Sequence, residues 1–264
     1  MSGGQAVYSD PGAEFGAEPA AMAVEDALLG GRVRLVQPAQ GYRAAIDPVL
    51  LAAATHGGHG VRVLDVGTGT GAAALCLAAR DPGVRVVALE KHREIGAYAS
   101  HNVELNGLQG RVLPVIGDLL RPPPMLAPGS FDRVMMNPPY LKADAATAPP
   151  GAWKAAANVE GEARLAEWIA FAAAMLKTRG ILTLVHRADR IDEILALLHG
   201  RFGGVTLFPL WPKAGEAAKR VLLSAHRNAK GPAKLAAGLT LHAPDGRYTQ
   251  EAEAVLRDGA ALVL

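Results

Sequence analysis

The chain has 264 residues, half of them apolar, which is enough to bury a full core and excludes a disordered or fibrous protein; one domain with small additions at its ends is expected. The formal net charge of +2 does not by itself point to a polyanion, and a single cysteine, Cys76, excludes an internal disulfide and argues against a thiolate metal site. No apolar run approaches the roughly 20 residues of a membrane helix, and Met1-Ser2-Gly3-Gly4-Gln5 lacks the basic and apolar regions of a signal peptide, so the expected location is the cytoplasm.

Residues 1–22 are rich in Gly, Ala and Glu without apolar periodicity and read as a flexible acidic tail. Residues 23–264 read as a single domain with an N-terminal β/helix extension and a basic C-terminal extension. Arg32 to Ile46 predicts a short β excursion through Val33, Leu35, Tyr42 and Ile46, and Asp47 is placed to cap an apolar helix from Val49 to Ala54. From there short apolar runs alternate with helical stretches, the pattern of a mostly parallel α/β sheet. Seven runs are expected as strands: Val61 to Asp65, Val84 to Glu90, Val112 to Ile116, Phe131 to Met136, Ile181 to His186, Val205 to Leu210 and Arg220 to Ala225. Helices are expected at Ala72 to Arg80, Arg93 to Leu105, Gly161 to Lys177 and Ala188 to Arg201. Trp211 to Lys219, holding Pro212 and Gly215, leaves little room for a helix, so the last two strands predict an antiparallel pair. Asn228 to Gly238 reads as a loop, and Gln250 to Asp258 as a helix capped by Thr249. Arg201, Lys213, Lys219, Arg220, Arg227, Lys230, Lys234 and Arg247 face only Glu216 and Asp245 in this last part, a balance that suits phosphates or an ordinary solvated face.

The chemistry gathers where strands end. After the first run comes Asp65-Val66-Gly67-Thr68-Gly69-Thr70-Gly71, where glycines let backbone approach a nucleotide-like ligand at a strand-to-helix turn. The same glycines also satisfy a relaxed dinucleotide fingerprint, or a tight turn before a closely packed helix. Glu90 ends the next run, where an acid accepts both hydroxyls of a ribose, and Asp118 suits an adenine amino group with Leu119 against the ring; a lone Asp equally serves as a turn residue. Asn137-Pro138-Pro139-Tyr140 follows the fourth run. The prolines fix φ and lack N–H groups, leaving the Asn137 amide and the Pro138 carbonyl as two acceptors for a planar NH2, with Tyr140 as an aromatic face for an unstacked base. Trp153 and Lys154 edge a pocket or simply pack, and His186, His226 and His242 read as structural or surface residues without a nucleophile partner.

Together Asp65, Gly67, Thr68, Gly69, Gly71, Glu90, Asp118, Leu119 and Asn137 to Tyr140 resemble the S-adenosylmethionine-dependent class I methyltransferases that modify amino nitrogens. Ala45-Ile46-Asp47-Pro48-Val49-Leu50-Leu51 and His101-Asn102-Val103-Glu104-Leu105-Asn106-Gly107 are similar to the bacterial family that methylates adenine N6 beside the anticodon of a valine tRNA. This resemblance implies a Rossmann-like α/β fold with a seven-stranded mixed sheet of order 3-2-1-4-5-7-6, S-adenosylmethionine as cofactor at Asp65 to Gly71, Glu90, Asp118, Leu119 and Asn137, a tRNA partner, catalysis by Asn137, Pro138 and Tyr140, and no metal. Lys91 departs from relatives that place an apolar residue there. The same tetrapeptide occurs in enzymes that methylate a glutamine amide of release factors, and DNA or rRNA amino groups are further acceptors; the short N-terminal region favours tRNA.

Overall fold

The computed structural model describes residues 23–39, 44–140 and 163–264; the acidic tail, Tyr42, Trp153 and Lys154 lie outside them. The first element is one the sequence does not announce. β1 (Ala23–Leu28) pairs antiparallel with β2 (Val33–Pro38) in a two-stranded sheet, Leu28 opposite Val33. β1 carries Glu25 and Asp26 and buries no residue fully, so it leaves no apolar pattern; its partner strand supplies the order, with Val33 and Leu35 fully buried. This hairpin is clasped by α3 (Arg93–Leu105). The Asn102 amide accepts from Val36 N at 2.7 Å and donates to Val36 O at 2.9 Å, while Asn106 does the same with Arg34 at 2.9 and 2.7 Å. Four helical residues and two strand residues both span about 6 Å, so the two amides meet alternate strand positions in register.

The main sheet has nine strands, in the order β10-β8-β9-β7-β6-β3-β4-β5, with β11 also paired to β8. These are β3 (Arg62–Val66), β4 (Arg85–Glu90), β5 (Val112–Ile116), β6 (Phe131–Met136), β7 (Leu176–Arg187), β8 (Phe202–Lys213), β9 (Arg220–Arg227), β10 (Lys234–Leu235) and β11 (Leu239–His242). β3 to β7 run parallel, and β9 is antiparallel to both β7 and β8. The seven-stranded expectation is therefore too small. The segment read as a loop from Asn228 to Gly238 contains β10, and β10 and β11 line the free edge of β8 in pieces too short for periodicity, held by backbone bonds and by buried Leu239 and Leu241.

Alternate residues of each central strand serve two cores, as the pleat requires. Val63, Met135 and Val185 face α1 (Ile46–Ala54), α2 (Ala72–Arg80) and α6 (Gln250–Leu256). Leu64, Val66, Val134, Met136, Leu182 and Leu184 face α4 (Leu165–Met175) and α5 (Ile191–Leu198). Cys76 lies in the first core, where burial pushes its thiol up to about 12 and leaves it an inert packing residue. The stretch expected as one helix from Ala188 to Arg201 begins with a 3-10 turn at Ala188–Arg190 and ends at Leu198. Thr249 caps α6, its hydroxyl accepting from Ala252 N at 3.1 Å. Asp47 does not cap α1: Ala45 holds the cap position, Asp47 is the second residue of the first turn, and its side chain reaches away to Tyr140.

Candidate active site

At the carboxyl edge of the sheet Val66 pairs with Leu89 on one side and Met136 on the other, and Glu90 pairs with Ile116, so the segments following β3 to β6 emerge side by side. The glycine loop turns there through three positive φ values, 68° at Gly67, 60° at Gly69 and 90° at Gly71, where α2 begins. Thr68 N donates to Leu89 O at 2.9 Å and Thr68 Oγ1 to Asp65 Oδ2 at 2.5 Å, which ties the loop to both neighbouring strands. The glycines differ in purpose. A Cβ on Gly67 would lie 2.4 Å from Trp168 Cη2 of α4, whereas one on Gly69 would meet nothing within 4 Å among the described residues. Gly67 is demanded by packing, and Gly69 leaves open space where a Cβ would stand.

Glu90, 7% exposed, accepts from Gly69 N at 3.0 Å and from His92 N at 2.9 Å. Burial pushes the Asp65 carboxyl up to about 7, Glu90 adding to the rise while Thr68 and the Ala74 backbone oppose it. Asp118 is partly buried, which raises its carboxyl, but the Leu120 N–H at 3.0 Å and Lys91 Nζ at 2.9 Å hold it below the ordinary value. Lys91 thus spans from the end of β4 to the loop after β5, its head on Asp118, while the half-buried Leu119 packs towards the second core.

Beyond β6 the four residues Asn137 to Tyr140 follow Met136, with Pro138 buried and its neighbours half-buried. Three residues that the sequence did not connect with the site converge on Tyr140. Its hydroxyl donates to Asp47 Oδ2 at 2.7 Å, Arg220 Nε donates to the same oxygen at 3.2 Å, and Arg220 Cζ lies 4.8 Å from the Tyr140 ring centroid. The His186 ring stands edgewise at 5.3 Å and 68° to that of Tyr140. His186 is no surface residue: it is fully buried on β7, and burial, with Arg190 nearby, drives its imidazole down to about 4, so it is neutral near pH 7. Arg220 reaches the site because β9 starts where β7 ends, Arg220 opposite Arg187.

The register also divides the basic C-terminal stretch, which does not form one face. Lys213 and Lys219 flank the β8–β9 connection at the site edge, whereas Arg227 pairs with Phe202 at the far end of the sheet and donates to Leu176 O. Among the described residues, no group of three or more His, Cys, Asp or Glu could hold a metal ion, and no helix is long and apolar enough to cross a membrane.

Comparison with known proteins places this geometry. A relative in Bacteroides thetaiotaomicron, named tRNA1(Val) (adenine(37)-N6)-methyltransferase, is 30% identical over 193 residues, covering 72% of this chain and 78% of the relative. A release factor glutamine methyltransferase of Deinococcus radiodurans is 46% identical over 90 residues, covering 34% of this chain and 30% of the relative. The crystal structure of a protein described as a predicted O-methyltransferase from Agrobacterium tumefaciens superimposes with a TM-score of 0.67 at 26% identity, covering 82% of this chain and 98% of that one. The sequence pattern of the methyltransferase small domain family matches residues 48–208. The chain belongs to that family and is an S-adenosylmethionine-dependent methyltransferase.

Proposed function

We propose that the protein methylates N6 of an adenine in tRNA, the acceptor being the base beside the anticodon of a valine tRNA. The observation that carries this reading is the position of Asn137 to Tyr140, which follows β6 directly, beside the strand that leads into the glycine loop. The extent of similarity supports the same acceptor: the match to the tRNA1(Val) enzyme runs over 78% of that protein, the match to the release factor enzyme over 30%. The local identity of 46% in the second case keeps a glutamine amide as the alternative, since it is another planar NH2.

The cofactor suits the residues present. Gly69 leaves open space beside its backbone, where a Cβ would otherwise stand, and the Glu90 carboxylate adjoins it. In this reading Glu90 accepts the ribose hydroxyls, Asp118 the adenine amino group with Leu119 against the ring, and Asp65, Gly67, Thr68, Gly69, Gly71 and Asn137 line the remainder. S-adenosylmethionine supplies an electrophilic sulfonium methyl when bound. The Asn137 side-chain oxygen and the Pro138 carbonyl each accept one N6–H, which draws the amine towards pyramidal geometry and frees its lone pair from the ring. Their fixed placement orients the nitrogen, and Tyr140 holds the base by stacking, worth about 1–3 kcal/mol.

Nucleoside mass spectrometry on undermodified bacterial tRNA incubated with the protein and S-adenosylmethionine tests this reading. N6-methyladenosine formed by the unaltered protein and not by Asn137→Ala is the expected result. Methylation of a release-factor glutamine with no methylated adenosine would replace the acceptor.

A further inference from the structure

We propose that Asp47 and Arg220 are positioning residues for the methyl acceptor, acting through Tyr140. The Asp47 carboxylate fixes the phenol hydroxyl, and Arg220, tethered to the same oxygen, lies across one ring face, so the ring is held in one orientation. The inference rests on the reading of Asn137 to Tyr140 as the acceptor site.

The geometry separates this from ordinary packing. Asp47 lies 93 residues from Tyr140 and 173 from Arg220, yet a single oxygen, Oδ2, serves both. A carboxylate in the first turn of a helix has backbone N–H groups within easy reach, and Asp47 turns away from them. Arg220 contributes a flat guanidinium that matches the ring, which a lysine does not. The pair is partly shielded, with the Asp47 side chain 15% and the Arg220 side chain 35% exposed.

Rigid placement of a stacking residue affects reaction of the acceptor and leaves the methyl donor's own contacts intact. Asp47→Ala is therefore expected to lower kcat/KM for the acceptor about 10–100-fold, with the dissociation constant for S-adenosylmethionine within about twofold. Asp47→Asn, which keeps an oxygen for the Tyr140 hydroxyl but no charge for Arg220, falls between, and it guards against a folding defect in the alanine variant. The decisive test is a double-mutant cycle with Tyr140→Phe, which keeps the ring and removes the hydroxyl. If Asp47 acts through Tyr140, Asp47→Ala loses much less in the Tyr140→Phe background than in the unaltered one. Equal fold losses in both backgrounds, or a loss of cofactor affinity as large as that of kcat/KM, would overturn the proposal. Failure of the adenine reading shows separately, as absence of N6-methyladenosine from the unaltered protein. The cycle is then run on the release-factor acceptor, where equal fold losses in both backgrounds overturn the proposal and a smaller loss beside Tyr140→Phe supports it.

Discussion

The two halves of the sheet edge are built by different means. On the side of β3 to β5 the site is largely backbone: Gly67, Gly69 and Gly71 set the turn, and the bonds of Asp65 to Thr68 and of Glu90 to Gly69 join residues 3 and 21 apart in the chain. On the side of β6 to β9 it is side chains gathered from distance, with Asp47, Tyr140, His186 and Arg220 brought together by α1 and by the antiparallel insertion of β9. A cofactor common to many acceptors suits a local strand-turn-helix cradle that tolerates few changes. Acceptor choice suits residues that vary independently on separate elements.

The sharpest separation of the two halves is Asn137→Ala. If Asn137 works on the reacting amine, turnover falls about 100–1000-fold while calorimetric affinity for S-adenosylmethionine stays within a few fold. Parallel loss of both would merge the halves.

On the glycine-loop side, the glycines should part company. Gly67→Ala drives a Cβ to 2.4 Å from Trp168 at a φ of 68° and should lower stability by about 2–4 kcal/mol in urea unfolding. Gly69→Ala carries backbone strain of about 1–2 kcal/mol and should lose cofactor affinity more than stability. Equal destabilisation would mean that Gly69 too is held by packing.

Lys91 tests whether Asp118 belongs to the cofactor. Lys91→Met frees Asp118 Oδ2 from its 2.9 Å ion pair and should raise S-adenosylmethionine affinity about two- to fivefold, an effect that fades with salt. Unchanged affinity at low salt would remove Asp118 from the adenine contacts.

A pair of opposed pH slopes, one from each half, gives a further test. Asp65 keeps its proton in the folded state up to about 7 against an ordinary 3.8, so it makes stability fall as pH rises between those values. His186 stays neutral when folded down to about 4 against an ordinary 6.5, so it makes stability rise with pH over nearly the same window and lose it as pH falls. Urea unfolding between pH 4.5 and 6.5 should show His186→Phe tilting the dependence towards falling stability with rising pH, and Asp65→Asn tilting it the other way. Identical slopes in both variants would contradict the assigned protonation states.

The parallel core was legible because each strand is a buried apolar run bounded by turn residues and each helix carries its own period; Ala72–Arg80 and Arg93–Leu105 are where the pattern puts them. β1, β10 and β11 were not: β10 and β11 are short pieces on the edge of the longer β8, and β1 borrows its order from the better buried β2. Asp47 looked like a helix cap because short-range chemistry favours that role, and only the distant Tyr140 and Arg220 draw it away.

By itself the sequence determined the glycine loop, the acidic strand ends and the tetrapeptide after β6, for these depend on local backbone geometry that Gly, Pro and a strand end impose wherever they occur. Only the tertiary structure decided that Asp47, His186 and Arg220 surround Tyr140 and that the basic C-terminal residues part to opposite ends of the sheet. The physical reason is register: one residue of slip in β9 would turn Arg220 to the other face, and nothing within Arg220–Arg227 specifies that register without the strands on either side.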